Sequence, residues 1–212
     1  TRKESSAASD VYKRQEVYNP KKILYGRMPG YHLSSRGNSM AVATSKFFRG
    51  RDVVYLAASP LERAQETARP IAEVTGCEVD TREDILEAGN TFEGLRTKGW
   101  RSQLINPIRW RHMTNPFEPS WGEPYQDIFE RMWSAVEDAR GKAEGHEAVL
   151  VSHQLPIVTV QRHVQGKRLA HASRNCDLAS VTSLVFDGDS VVDWAYNCLL
   201  YTSDAADDSL RV

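Results

Sequence analysis

Val53-Val54-Tyr55-Leu56-Ala57-Ala58-Ser59-Pro60-Leu61-Glu62-Arg63-Ala64 is the stretch that decides the fold. Six apolar residues without polar alternation stop at Ser-Pro, and a helical pattern then runs from Leu61 to Val74. A short unbroken apolar run of this kind reads as a strand buried on both faces. Ala148-Val149-Leu150-Val151-Ser152 repeats the arrangement, with a helical pattern from Leu155 to Val164. Strands alternating with helices predict an α/β layered fold with a largely parallel sheet.

Working outward, Ser35 to Phe48 carries Met40, Ala43, Phe47 and Phe48 at helical spacing. The strongest helix pattern runs from about Pro124 to Ala143. Tyr125, Ile128, Phe129, Met132, Trp133 and Val136 make one apolar stripe, and Pro124 suits a first-turn position. Ser180 to Phe186 and Ser190 to Tyr196 flank Asp187-Gly188-Asp189 and predict a hairpin. Residues 100–121 differ from the rest: they hold Trp100, Trp110 and Trp121 with Arg101, Arg109, Arg111 and His112. They read either as a surface excursion packed by its own aromatics or as a lid-like insertion over an anion site.

Composition narrows the function classes. The 212 residues are 41% hydrophobic and 26% charged, with a formal net charge of -1. That is the profile of one soluble domain with a sizeable core. The balance lacks the basic excess of a nucleic-acid binder, and no apolar run is long enough for a membrane span. Cys77, Cys176 and Cys198 are scattered and odd in number, which fits a reducing cytoplasm and offers no metal-ligand spacing. The ends set themselves apart. Residues 1–15 are polar and basic, and residues 198–212 are acidic. Both are expected to be non-native segments flanking a domain at 16–197.

The chemistry is expected at the strand ends, because ligands of open α/β sheets bind beyond the carboxyl ends of their strands. One strand ends so as to place Arg63 in the first turn of a helix. The other places His153 at its tip before the next helix. An arginine fork and a helix N-terminus both suit a phosphate group. Between them, Asp84 to Gly94 holds Glu87 and Glu93 among glycines, either as solvated turn acids or as a carboxylate able to protonate a leaving oxygen.

Taken in order, several blocks are similar to the histidine phosphatase superfamily, also called phosphoglycerate-mutase-like. They are Gly26-Arg27, Leu33-Ser34 and Gly37; Ser59-Pro60-Leu61-Glu62-Arg63-Ala64-Gln65-Glu66-Thr67-Ala68; Leu86-Glu87-Ala88-Gly89 with Phe92-Glu93-Gly94; Gly122-Glu123-Pro124 leading to Arg131; and Val151-Ser152-His153. The resemblance spans roughly 16–197. It implies a three-layer α/β/α sandwich with a mostly parallel central sheet. It also implies a phosphomonoester hydrolase in which a histidine, within an Arg-His-Gly motif at the tip of the first strand, takes the phosphoryl group.

By position, Arg63 would be the second phosphate arginine and His153 the second histidine. Glu87 would be the proton donor, and Asn19 and Arg27 would join the phosphate-binding set. No cofactor and no metal are implied. The expected partner is a small phosphorylated substrate, with no nucleic acid and no membrane; a homodimer is held open.

The resemblance breaks at one point. Where Arg-His-Gly-Glu is expected, the chain reads Lys13-Arg14-Gln15-Glu16. Glu16 fits, Lys13 replaces the first arginine, and Arg14 stands at the nucleophile position. An arginine stays protonated and cannot attack phosphorus. The chain as written is therefore expected to be inactive. Either a native motif has been lost with a non-native end, or the protein binds phosphate without turnover. Phosphoglycerate mutase chemistry is the other alternative; hydrolysis is preferred because mutases of this family usually carry a longer, differently patterned chain. His32, His112, His146, His163 and His171 are read as structural or surface residues.

The first strand, around Ser9-Asp10-Val11-Tyr12-Lys13, has only Val11 and Tyr12 as good strand formers. It is expected to sit in the sheet with weak packing. Amide hydrogen exchange over residues 10–16 checks this, with low protection the expected result and strong protection the contrary one.

Overall fold

The computed structural model describes residues 16–96, 122–169 and 179–199, together with the backbone of 7–12. Among the described residues six strands form one sheet: β1 (Ala7–Tyr12), β2 (Val53–Ala58), β3 (Val79–Thr81), β4 (Glu147–Val151), β5 (Ser180–Asp187) and β6 (Ser190–Cys198). Their order is β3-β2-β4-β1-β5-β6. The β3/β2, β2/β4 and β4/β1 pairs are parallel, and β1/β5 and β5/β6 are antiparallel. The described helices are α1 (Ser35–Ser45), α2 (Glu62–Thr75), α3 (Tyr125–Lys142) and α4 (Gln154–Val164).

The alternation of a strand's side chains sorts the core into two layers. On one face Ala57, Ala148, Leu150, Leu184 and Phe186 pack against Met132, Ala135, Val136 and Ala139 of α3 and Ile157 and Val160 of α4. On the other face Leu56, Ala58, Val149, Val151 and Val181 meet Ala64, Ala68 and Ile71 of α2, with Phe48 beside them. The result is the expected three-layer sandwich. Small residues at Ala57, Ala58, Ala64, Ala68 and Ala148 let helix and sheet approach closely.

The predicted elements fall close to the observed ones. The helix expected over Ser35 to Phe48 is α1 followed by a single 3-10 turn at Lys46–Phe48. Helix α2 continues through Pro70 and ends on Gly76, whose φ of +76° is the left-handed cap that glycine allows. The hairpin turn uses Gly188 at φ +58°. Strand β6 runs through Cys198, and Leu199 N donates to Ala179 O at 3.1 Å, so the pairing reaches into the segment read as a tail. The insertion at 100–121, with His112, lies outside the described residues, as do Lys13, Arg14, His171 and Cys176. No described helix is long and apolar enough to cross a membrane.

The backbone of β1 takes the centre of the sheet, between β4 and β5, despite its poor strand formers. Just beyond it, Glu16 is fastened to the start of α1. Ser34 N donates to Glu16 O at 2.9 Å, and Ser34 Oγ caps the helix by accepting from Gly37 N at 3.0 Å. A side chain on Gly37 would overlap the Glu16 carbonyl oxygen. Gly37→Ala should therefore destabilise the fold by about 1–3 kcal/mol and free the segment around Glu16, measured by urea unfolding and by exchange at the Ser34 amide.

Candidate functional site

Strands β1, β2 and β4 end level with one another. Tyr12 pairs with Val151, and Val151 pairs with Ala58. The ladder carries on one step, with Ser59 N donating to Val151 O at 3.0 Å. The residues leaving these tips are therefore neighbours although they lie far apart in sequence.

Two of them are the predicted phosphate ligands. His153 follows β4, caps α4 and is 0% exposed. Its Nε2 lies 2.7 Å from Ser59 Oγ at the tip of β2. Arg63 sits in the first turn of α2 and is also 0% exposed. Burying a guanidinium is costly unless it is engaged. Arg63 Nη2 donates to Gly26 O at 2.6 Å, and its guanidinium carbon lies 5.0 Å from the centre of the Tyr25 ring. Tyr25 in turn stacks on Tyr31 at 4.9 Å. Arg63 and His153 thus stand at the adjacent strand ends where the sequence reading put them, and their burial is a further finding.

Arg27 continues from the same loop. Its Nε donates to Glu87 O at 2.6 Å, and its Nη2 pairs with Glu123 Oε2 at 2.7 Å. Its side chain stays 37% exposed, so it stands at the rim of the site. Its backbone N–H donates to Glu93 Oε1 at 3.0 Å. Gly26, at φ +34°, has no room for a side chain because the Glu93 carboxylate fills that space. Glu93 is thus a positioning group for the Gly26-Arg27 turn and not a solvated turn acid. Glu87 is partly buried and its Oε1 accepts from Ala88 N at 3.0 Å.

Asn19 has a local task. Its Nδ2 donates to Ile23 O at 2.7 Å and its Oδ1 accepts from Ile23 N at 3.1 Å, closing the 19–23 turn. Lys13 and Arg14 lie outside the described residues, between Tyr12 and Glu16.

The side chains that sequence reasoning left without a role are Ser59, Tyr25 and Glu123. Ser59 and Glu123 stood inside quoted motifs, and Arg131 in the same block as Glu123 proves to be its partner, but nothing local marks His153 for Ser59 or Arg27 for Glu123. Burial pushes the Glu123 carboxyl up, while Arg131, the Gly89 N–H and Arg27 together hold it below the ordinary carboxylate range. It is therefore ionised at neutral pH. Of the histidines read as structural, His32 pairs with Glu66 and His146 with Asp52 at the surface, and His163 stacks on Phe129 at 4.3 Å. Among the described residues there is no cluster suited to a metal ion.

Comparison with known proteins gives the same direction. The family model described as histidine phosphatase superfamily (branch 1) matches residues 15–198. A Mycobacterium tuberculosis protein, uncharacterized protein Rv0525, is 50% identical over 189 residues, covering 88% of this chain and 94% of that one. A probable phosphoglycerate mutase, GpmB of Salmonella arizonae, is 26% identical over 163 residues, 70% of this chain and 72% of its own. Among solved structures, a phosphoserine phosphatase from Entamoeba histolytica in complex with 3-phosphoglyceric acid superposes with a TM-score of 0.73. It is 18% identical and covers 92% of this chain and 99% of that one, a likeness of fold.

The His153–Ser59 contact joins two strand tips in a dry setting. Ser59→Ala should cost about 1–3 kcal/mol, the range for a buried group deprived of a partner. Urea unfolding measures the loss, and the His153 ring nitrogen shifts should move with it.

Proposed function

This chain belongs to the histidine phosphatase superfamily, branch 1, and from that premise we propose that its parent protein is a phosphomonoester hydrolase acting on a small phosphorylated metabolite in the cytoplasm. The observation that carries this reading is the pair Arg63 and His153, both buried, at the adjacent tips of β2 and β4. A preplaced cation and imidazole suit the spread negative charge of a transferring phosphoryl group, which is the larger part of what a protein supplies to this chemistry.

The reaction runs in two displacements. A histidine at position 14 attacks phosphorus through a ring nitrogen, the P–N bond forms, and the P–O bond to the alcohol breaks. Glu87 delivers its proton to the departing oxygen. Glu87, now a carboxylate, takes a proton from water, whose oxygen attacks phosphorus and breaks the P–N bond. Inorganic phosphate and free histidine result. Arg63 and His153 hold the phosphoryl oxygens through both steps. Asn19 shapes the approach through the 19–23 turn, and Arg27 adds positive charge at the rim.

In the chain as written Arg14 stands at the nucleophile position and Lys13 at that of the first phosphate arginine, within a non-native N-terminal segment. The written chain is then a phosphate-binding protein without turnover. A second reading, transfer of the phosphoryl group to another substrate hydroxyl, is favoured by the 26% identity to a probable phosphoglycerate mutase. It differs only in what accepts the phosphoryl group.

Assay of the written chain on phosphomonoesters should give background rates. The same chain carrying Lys13→Arg, Arg14→His and Gln15→Gly should gain at least about 10³-fold, the scale of restoring a missing nucleophile. Release of inorganic phosphate identifies hydrolysis, and phosphoryl relocation on a phosphoglycerate without release identifies the mutase. Turnover in the unmodified chain would overturn the role given to position 14, and an inactive restored chain would overturn the enzyme reading.

A further inference from the structure

Glu123 precedes α3, and its side chain is 19% exposed. It is the meeting point of three separate segments. Arg131 on α3 forks onto it, with Nε to Oε1 at 2.8 Å and Nη2 to Oε2 at 3.2 Å. Arg27, from the loop after the 19–23 turn, reaches Oε2 at 2.7 Å. The Gly89 N–H points at the same oxygen at 3.3 Å.

Each arginine also spends a second donor on the loop that bears Glu87. Arg27 Nε donates to Glu87 O at 2.6 Å, and Arg131 Nη1 donates to Asp84 O at 2.8 Å. The backbone is therefore gripped at 84, 87 and 89, and all three grips radiate from one carboxylate. A fourth comes from the tip of β4, where Ser152 Oγ donates to Ile85 O at 2.7 Å. Close packing leaves no slack in this clamp, because a side chain on Gly122 would come within 2.8 Å of Gly89 O.

We propose that Glu123 is a positioning residue for proton transfer by Glu87: it orients Arg27 and Arg131 so that they fix the backbone on either side of Glu87. The proposal rests on the phosphomonoesterase reading for what Glu87 does. The charge is the operative property. Two guanidinium groups brought onto one oxygen pair repel each other unless an anion lies between them, and a neutral amide of the same shape leaves them uncompensated. The Glu123 carboxylate is taken up by Arg27, Arg131 and the Gly89 N–H and acts on Glu87 through them, so its removal should lower the rate more than it weakens binding. A general acid displaced by about 1 Å costs about 10²-fold.

In the chain with restored Arg-His-Gly, Glu123→Gln should lower kcat about 30- to 100-fold, with KM changing less than about threefold. Glu123→Asp, which keeps the charge and loses the shape, should retain more kcat than Glu123→Gln. An unchanged kcat, a loss confined to KM, or better retention by Gln than by Asp would each overturn the proposal. The second arm needs no turnover. In the chain as written, Glu123→Gln should speed hydrogen exchange at the Gly89 amide at least about tenfold while β2 and β4 stay protected. Unchanged Gly89 exchange overturns the clamp whatever the kinetics show. If the restored parent shows no activity, the phosphomonoesterase reading fails by itself and the exchange arm still decides the clamp. Should Glu123→Gln fail to fold, the same measurements on Glu123→Asp decide, with a smaller shift in the same direction expected.

Discussion

Three strands ending on one row is the constraint from which the rest of this molecule follows. Tyr12, Val151 and Ala58 are paired across β1, β4 and β2, and the alternate burial of the β2 and β4 side chains on the two faces holds that register. It is fixed by a parallel ladder whose evenly spaced backbone bonds tolerate no slip without turning every side chain to the wrong face. Once the row is set, the next residues of each chain segment must emerge together. Ser59 and His153 meet because of it, and Arg63 is delivered one helical turn further on. A site built this way draws its precision from the sheet and its chemistry from the loops that leave it.

The same constraint explains which parts of the molecule could be read from the chain. The β2 and β4 runs are apolar, short and closed by polar residues, so both their type and their ends are visible. Arg63 and His153 were legible because they follow those ends directly. The Pro124–Ala143 pattern was legible because a buried stripe must recur at helical spacing. β3, three residues long and mostly exposed, carries almost no such signal. Glu123 and Ser59 were visible as motif letters but not as parts of a mechanism. Arg27 lies 96 positions from Glu123 and His153 lies 94 from Ser59, and a hydrogen bond across that distance leaves no periodic trace. Glu93 misleads for a related reason: a carboxylate among glycines looks solvated until the fold sets a backbone N–H against it.

The arginines divide by what surrounds them. Arg63 is sealed between the Gly26 carbonyl and the Tyr25 ring, where a charge acts through a weakly screening medium. Arg27 is half open and shares its charge with Glu123. The first is suited to hold a charged oxygen, the second to organise neighbours at the rim. Their difference comes from one turn. Gly26 gives its carbonyl to Arg63, while the next N–H, on Arg27, is taken by Glu93. A single glycine with a positive φ thus serves both sides of the site, and a side chain there would push against the Glu93 carboxylate that holds the Arg27 N–H.

Strand β1 shows how far fold and chemistry can separate. Ser9 and Asp10 are poor strand formers, yet the segment pairs on both edges, with β4 and with β5. Backbone bonding asks only for an N–H and a C=O from each residue, and the two flanking strands are already held by the helices packed on them. A central slot in such a sheet therefore accepts sequences that would not form a strand alone. Arg63 and His153 leave the tips of β2 and β4, and Glu123 ties α3 to the loops that bear Arg27 and Glu87, so this architecture asks of β1 the backbone pairing that aligns its neighbours.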